Sequence, residues 1–334
     1  MPLTTALILV AVGLVLLLIA GDLLVRGAVA AALKAGVSPL VAGIVIVGFG
    51  TSLPEVIVSI DGALSGGEGL AHGNIVGSNI ANLWLVLAVP ALMAPLLTTS
   101  TGLKRSATAT LIATAAWIWI TASIGLNARV GAVFLGALIG YITYVFVASR
   151  KADEIPNADE LEGADQTPVW RMSLFIAIGL VGLPLAANFL ITGGVAIAET
   201  MNISQELIGL TLLAVGTSLP EIGAAVAAAM RKHGDVVIGN VLGSNMFNLL
   251  AAGGAIALIK DQQLASSFHE YSHWAMGAAT IMVALFIFTK QPIGRLVGLL
   301  FLLLYLTYIA GLVRGWTIND LPDAFIEPIE STVQ

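Results

Sequence analysis

The hexapeptide Gly50-Thr51-Ser52-Leu53-Pro54-Glu55 returns unchanged as Gly216-Thr217-Ser218-Leu219-Pro220-Glu221, 166 residues later. A second motif follows at the same offset: Gly73-Asn74-x-x-Gly77-Ser78-Asn79-x-x-Asn82-Leu83 returns as Gly239-Asn240-x-x-Gly243-Ser244-Asn245-x-x-Asn248-Leu249. Aligned without a gap, residues 48–83 and 214–249 agree at 14 of 36 positions, gathered on Gly, Pro, Asn, Ser, Thr and Glu. Apolar segments avoid such residues, yet both copies lie inside apolar segments. Each half therefore sets a carboxylate, hydroxyls and amides where lipid penalises them. An ionisable group within a membrane segment points to function, and a fold for this chain must bury two such clusters.

With 58% hydrophobic and 10% charged residues, the chain is far from a soluble domain, where about 25% of residues are charged. Apolar runs of roughly 20 residues span a bilayer as helices. Ten are expected, at 4–25, 38–64, 70–97, 105–125, 130–149, 170–198, 204–230, 236–259, 272–289 and 293–313. Residues 7–20 lack the basic flank of a signal peptide and have an internal counterpart at 170–190, so they read as helix one. The absence of cysteine excludes disulfides and thiolate metal sites.

Eleven of the 14 Lys and Arg residues fall in odd-numbered connections, which places those connections in the cytoplasm and both termini outside. Each half holds five spans, an odd number, so the second half enters the membrane upside down. The expected fold is an all-α membrane protein of two inverted five-helix repeats. Residues 1–150 form the first repeat and 170–313 the second, with 314–334 an external tail. Residues 151–169, with six acids and two prolines, form an acidic cytoplasmic linker; they lack the ligand spacing of an EF-hand loop. Inverted repeats with a site near the midplane suit alternating access.

Pro54 lacks an N–H, so the carbonyl of Gly50 loses its helical partner; Pro220 does the same to Gly216. Irregular backbone at membrane depth is tolerated where it lines a cavity. Thr51 and Glu55, four residues apart, are expected on one helix face. Ser78 with Asn82, and Ser244 with Asn248, add further oxygens, while Gly73/Gly77 and Gly239/Gly243 allow close helix approach. An oxygen-only set suits hard cations such as Ca²⁺ or Na⁺.

These two motifs, inverted and duplicated over ten spans, resemble the cation/Ca²⁺ antiporter superfamily, in its Na⁺/Ca²⁺ exchanger branch. The resemblance covers nearly the whole chain. It implies that Glu55 and Glu221 bind Ca²⁺ with the carbonyls of Thr51 and Thr217. It further implies flanking Na⁺ sites using Ser52, Ser78, Ser218 and Ser244 with the carbonyls of Gly48 and Ala214, and Asn82 and Asn248 at the centre. Helices one and six, here 4–25 and 170–198, would slide across a static core. Some prokaryotic members and the K⁺-dependent branch carry Asp where this chain has Asn248, which favours K⁺-independent exchange. The expected localisation is a prokaryotic inner or plasma membrane. Na⁺, Ca²⁺ and lipid are the expected partners, with no nucleic acid and no cofactor, and a monomer suffices for transport. An H⁺/Ca²⁺ antiporter is the alternative within the superfamily.

Other polar residues receive blander readings. Asp22 and Arg26 form an intrahelical pair, with a gating role for Asp22 as the alternative. Asp61, Glu199 and Glu206 read as solvated, and His72 and His233 as lone interfacial histidines. His269-Glu270-x-x-His273 spells a zinc-protease motif, the rival from another class. A catalytic zinc needs a third protein ligand, and none is evident in the sequence. A passive cation channel is a second rival, disfavoured by the inverted duplication.

Overall fold

The computed structural model describes residues 1–65, 68–151, 167–201, 214–261 and 266–314. Among them the chain is helical apart from short connections and one antiparallel bridge between Leu96 and Ile293. In chain order the helices are α1 (Leu3–Lys34), α2 (Pro39–Thr51), α3 (Leu53–Leu64), α4 (Gly69–Met93), α5 (Leu103–Ser123) and α6 (Ala128–Arg150). The second half gives α7 (Val169–Thr200), α8 (Leu219–Met230), α9 (Gly234–Ile259), α10 (Tyr271–Thr289) and α11 (Arg295–Arg314). Among the described residues eight are long and apolar enough to cross a membrane, and α2 with α3, bent by 40° at their junction, pass the same test as a pair. The chain is thus a multi-pass integral membrane protein. Of the remaining expected span, 204–230, the structure describes the turn Ala214–Gly216 and the 12 residues of α8, since 202–213 lie outside the described residues.

Burial separates a centre from a periphery. In α4 and α9, 83% and 78% of the apolar window is buried, against 22% in α1 and 28% in α6, α7 and α11. The outer helices turn Leu7, Ile8, Val15, Ile139, Val181 and Leu296 outward. Such faces suit lipid, because hydrocarbon side chains lose nothing there. α1 stops at Gly36, whose φ of 67° is the left-handed conformation glycine tolerates, and Val37 N–H closes the cap on Ala32 O.

The repeat is visible in how α1 and α7 touch. A Cβ on Gly13 would lie 2.8 Å from Leu190 Cγ, and one on Gly179 would lie 2.5 Å from Leu24 Cβ. Likewise a Cβ on Gly27 would meet Ile176 Cγ1 at 2.8 Å, and one on Gly193 would meet Val10 Cγ2 at 2.8 Å. Positions 13 and 179, 24 and 190, 27 and 193, and 10 and 176 are each 166 apart. Every contact therefore recurs with the two helices exchanged. The start of α1 lies beside the end of α7, so equivalent helices run antiparallel, as inversion demands. Side-chain-free positions let the backbones approach to this distance.

The same device joins α9 to α2. A Cβ on Gly239 would stand 2.7 Å from Leu40 O, and one on Gly48 would stand 2.8 Å from Asn240 O. A Cβ on Gly243 would run into the backbone of Ile44. For Gly73 and Gly77, the equivalent facing stretch lies at 206–213, outside the described residues.

Candidate ion-binding centre

Both copies of the hexapeptide break their helix, and they break it alike. Pro54 and Pro220 sit in the first turn of α3 and α8, where a missing N–H costs no helical bond. Immediately before, Ser52 (φ −87°, ψ 5°) and Ser218 (φ −86°, ψ 2°) take the same non-helical conformation. Proline thus ends the preceding segment at Thr51 in the first copy and at Gly216 in the second. This corrects one expectation: Thr51 closes α2 while Glu55 opens α3, so helical periodicity does not align them. Glu55 and Glu221 instead lie in first turns, where the positive end of the helix dipole favours a carboxylate. Two π-helical turns, Asn82–Val86 in α4 and Asn248–Ala252 in α9, begin at equivalent asparagines, and a third occupies Ala42–Gly48. Such turns are frequent at functional sites.

These broken ends meet at the buried centre. Glu55 is 1% exposed and Glu221 fully buried. Ser52 Oγ donates to Glu221 Oε1 at 3.0 Å, linking the two repeats. Thr51 Oγ1 lies 3.0 Å from Val47 O, 3.4 Å from Gly48 O and 3.4 Å from Asn240 Oδ1. Ser244 Oγ donates to Gly48 O at 3.0 Å, which brings two of the expected site groups together. On the other side, Ser78 is buried on α4, Thr217 is half-buried, and Ala214 contributes described backbone only.

Several buried polar atoms at this centre have no hydrogen-bond partner among the described residues. They are Glu55 Oε2, Glu221 Oε2, Ser218 Oγ, Asn82 Oδ1 and both amide atoms of Asn248. A buried polar atom without a partner costs about 1–3 kcal/mol, more when charged. Charge and lone pairs of this kind are balanced by a bare or partly hydrated cation.

Four asparagines absent from the expected site hold it together. Asn74 Nδ2 donates to Glu55 O and to Ser59 Oγ, both at 2.9 Å, and Asn240 Nδ2 reaches Glu221 O at 3.4 Å. Asn82 Nδ2 donates to Asn245 Oδ1 at 3.1 Å, and Asn245 Nδ2 to Asn79 O at 3.3 Å. The signal was present, since all four recur at the common offset. Glycine spacing explained the motif sufficiently to hide them.

Outside the centre, Asp22 pairs with Arg26 as expected, at 2.9 Å, and also with Arg231 of the second repeat. His72 overturns its reading as a lone interfacial residue. It is fully buried, its Nε2 lies 3.2 Å from His273 Nε2, and its ring stacks on Trp117. His233 is half-buried and caps the start of α9. Asp61 and Glu199 are exposed, and Glu206 lies outside the described residues. The side chains of His269 and Glu270 also lie outside them. Among the described residues, no group of three or more His, Cys, Asp or Glu could hold a metal ion.

Comparison with known proteins bears on the fold and the family. The family model for the sodium/calcium exchanger protein matches twice, over residues 5–147 and 172–314. CaxA of Alkalimonas amylolytica, a protein named as an antiporter, is 33% identical, covering 91% of this chain and 97% of its own. The sodium/calcium exchanger MaX1 of Methanosarcina acetivorans is 28% identical, covering 89% of this chain and 95% of its own. A solved structure of the sodium-calcium exchanger NCX_Mj, soaked with 10 mM Na⁺ and zero Ca²⁺, superposes with a TM-score of 0.79. It is 30% identical, covering 93% of this chain and 100% of that one. Members of this family are transporters, so the zinc-protease reading falls. The chain belongs to the sodium/calcium exchanger protein family.

Proposed function

We propose that the chain is a secondary active antiporter that exchanges Na⁺ for Ca²⁺ by alternating access. The observation that carries this reading is the pair of buried carboxylates, Glu55 and Glu221, in equivalent first turns with an unpartnered oxygen each. Two carboxylates match the two charges of one Ca²⁺ without help from a proton. Na⁺ ions entering the same cavity share the same two charges. Thr51 and Thr217 supply carbonyls to the central site. Ser52, Ser78, Ser218 and Ser244, with the carbonyls of Gly48 and Ala214, form the flanking sites, and Asn82 and Asn248 line the centre. Because no third acid accompanies the pair among the described residues, exchange runs without K⁺.

The two repeats correspond to 1–150 and 170–313, joined by the acidic linker. One copy of the chain contains both motif copies, so a monomer bathed in lipid suffices. The basic residues concentrate in the odd connections, which places them in the cytoplasm of a prokaryotic cell and both termini outside. Cysteines at Asn157 and Ser331, in segments outside the described residues, test this in a chain that has no cysteine of its own. Labelling of Ser331→Cys alone by an impermeant reagent in intact cells is expected; the reverse pattern inverts the orientation.

The decisive experiment is uptake of radiolabelled Ca²⁺ into proteoliposomes, driven by a Na⁺ gradient and then by a pH gradient. Na⁺-driven uptake is expected, abolished in Glu55→Gln and in Glu221→Gln with folding retained, since each leaves a buried divalent cation short of one charge. Uptake driven only by the pH gradient would establish H⁺/Ca²⁺ antiport instead. Unchanged flux in both variants would remove the carboxylates from the site.

A further inference from the structure

Charge ties α1 to α8 at one end of the molecule. Asp22 of α1 accepts from Arg26, one turn further on, and from both Nε and Nη2 of Arg231, the residue that caps α8. The Asp22 and Arg231 side chains are about one-third exposed, at 33% and 31%. Next to them the two backbones are in close contact: a Cβ on Gly21 would lie 2.6 Å from Gly223 O. The ion pair therefore adds a charged contact at Asp22, beside the residue of α1 that packs on the backbone of α8.

Each member has a counterpart in the other repeat. At the positions equivalent to Asp22 and Arg26 stand Asn188 and Thr192 of α7, which keep the same one-turn bond, Thr192 Oγ1 to Asn188 Oδ1 at 3.1 Å. The position equivalent to Arg231 is Ser65, which caps α3 as Arg231 caps α8. The geometry of the repeat is thus preserved while every charge is replaced by a neutral group. Nothing in the ion centre requires this difference, because none of these residues contributes an oxygen to it.

We propose that Asp22 and Arg231 form an ion-pair lock that favours the conformation seen here over its mirror-image counterpart, in which the repeats exchange conformations. The proposal rests on the exchange reading above. In an inverted-repeat transporter the opposite-facing state is reached when each repeat adopts the arrangement of the other. The α1–α8 contact then loosens, and the α7–α3 contact takes the tight arrangement. The first change breaks an ion pair between a moving and a capping helix. The second gains only Asn188 near Ser65. Two states that symmetry would make nearly equal therefore differ by one partly exposed ion pair, which shifts a population by about two- to fivefold. Asp22 is a positioning residue: it touches no ion and acts on which face the site opens to.

The test is apparent Ca²⁺ affinity and maximal rate, measured separately at each face of oriented proteoliposomes. Apparent affinity scales with the fraction of protein open to that face. Asp22→Asn and Arg231→Gln should therefore move the two affinities in opposite directions, by about two- to fivefold. The double variant should equal either single one, because both remove one interaction. Asp22→Glu should restore most of the wild-type difference, and Arg26→Gln should leave the balance between faces unchanged. Affinities that stay fixed, or that fall together at both faces, overturn the lock. So does an additive double variant, or an Arg26→Gln variant that reproduces the shift. Absence of Na⁺-driven flux in the wild type would instead refute the exchange reading.

Discussion

Ser52 donates to Glu221 across the repeat boundary, whereas Ser218, its equivalent, has no partner among the described residues. Asn82 is held by Asn245, whereas both amide atoms of its equivalent, Asn248, have no partner among the described residues. Asn74 makes two bonds of 2.9 Å, whereas Asn240 reaches the matching carbonyl only at 3.4 Å. The two motif copies are thus the same in residues and different in bonding. Duplication supplies two equivalent sets of groups, and one conformation of an alternating machine cannot bond both sets identically. Each copy keeps a carboxylate oxygen free to meet an ion, and the second copy adds the Ser218 hydroxyl and the Asn248 amide, which have no partner among the described residues.

The largest effect is expected where the copies pack. Gly243→Ala would drive a methyl into the backbone of Ile44, a wall that cannot rotate away. Overpacking of this kind costs about 1–3 kcal/mol or more, so a large drop in thermal stability and yield is expected. Gly77→Ala is the matched probe at the equivalent position of the other copy. An equal drop would show the two interfaces to be equally close. A small one would make the packing as unequal as the bonding.

A smaller, more pointed effect separates the serines. Ser52→Ala leaves a buried carboxylate without its donor, and bonds to charged groups are worth about 1.5–3 kcal/mol. Stability measured by thermal unfolding without Na⁺ or Ca²⁺ should fall. Ser218→Ala removes an atom that bonds to nothing described, so ion-free stability should hold while Na⁺ and Ca²⁺ affinities weaken. If both variants lose stability alike, the bonding difference between the copies is not a property of the protein in membranes.

Much of this was legible in the sequence because the constraints are local or repeated. Apolar run length marked the spans, and the offset of 166 carried the inversion into helix contacts such as Gly13–Leu190 and Gly179–Leu24. Pro54 announced a break but not its position, since a proline is accommodated in a first turn and the helix ends before it. The bond from Ser52 to Glu221 and the pair of Asp22 with Arg231 join residues 169 and 209 apart. Spacing rules reach only one helical turn, so such partners stay invisible. His72 misled for the same reason: it lies at a span boundary in sequence, but Trp117 and His273, from two other helices, enclose it.

The most subtle prediction concerns Asn248, the residue whose amide is wholly unpaired. Asn248→Asp conserves shape and adds a third carboxylate beside Glu55 and Glu221. Wild-type exchange should run with Na⁺ and Ca²⁺ alone, because two carboxylates already balance one Ca²⁺. A third needs one more positive charge, supplied by a proton or by K⁺. At acid pH the added Asp carries that proton, and the variant should transport as wild type does. As pH rises the proton leaves, the site holds an extra negative charge through the cycle, and flux should decline or come to depend on K⁺. The measurement is Ca²⁺ flux against pH, with and without K⁺, for both proteins in matched vesicles. Coincident curves would place Asn248 outside the ion path and reduce its unpaired amide to a feature of packing. A divergence that grows with pH would instead assign the under-bonded copy the choice of which ions the cycle requires.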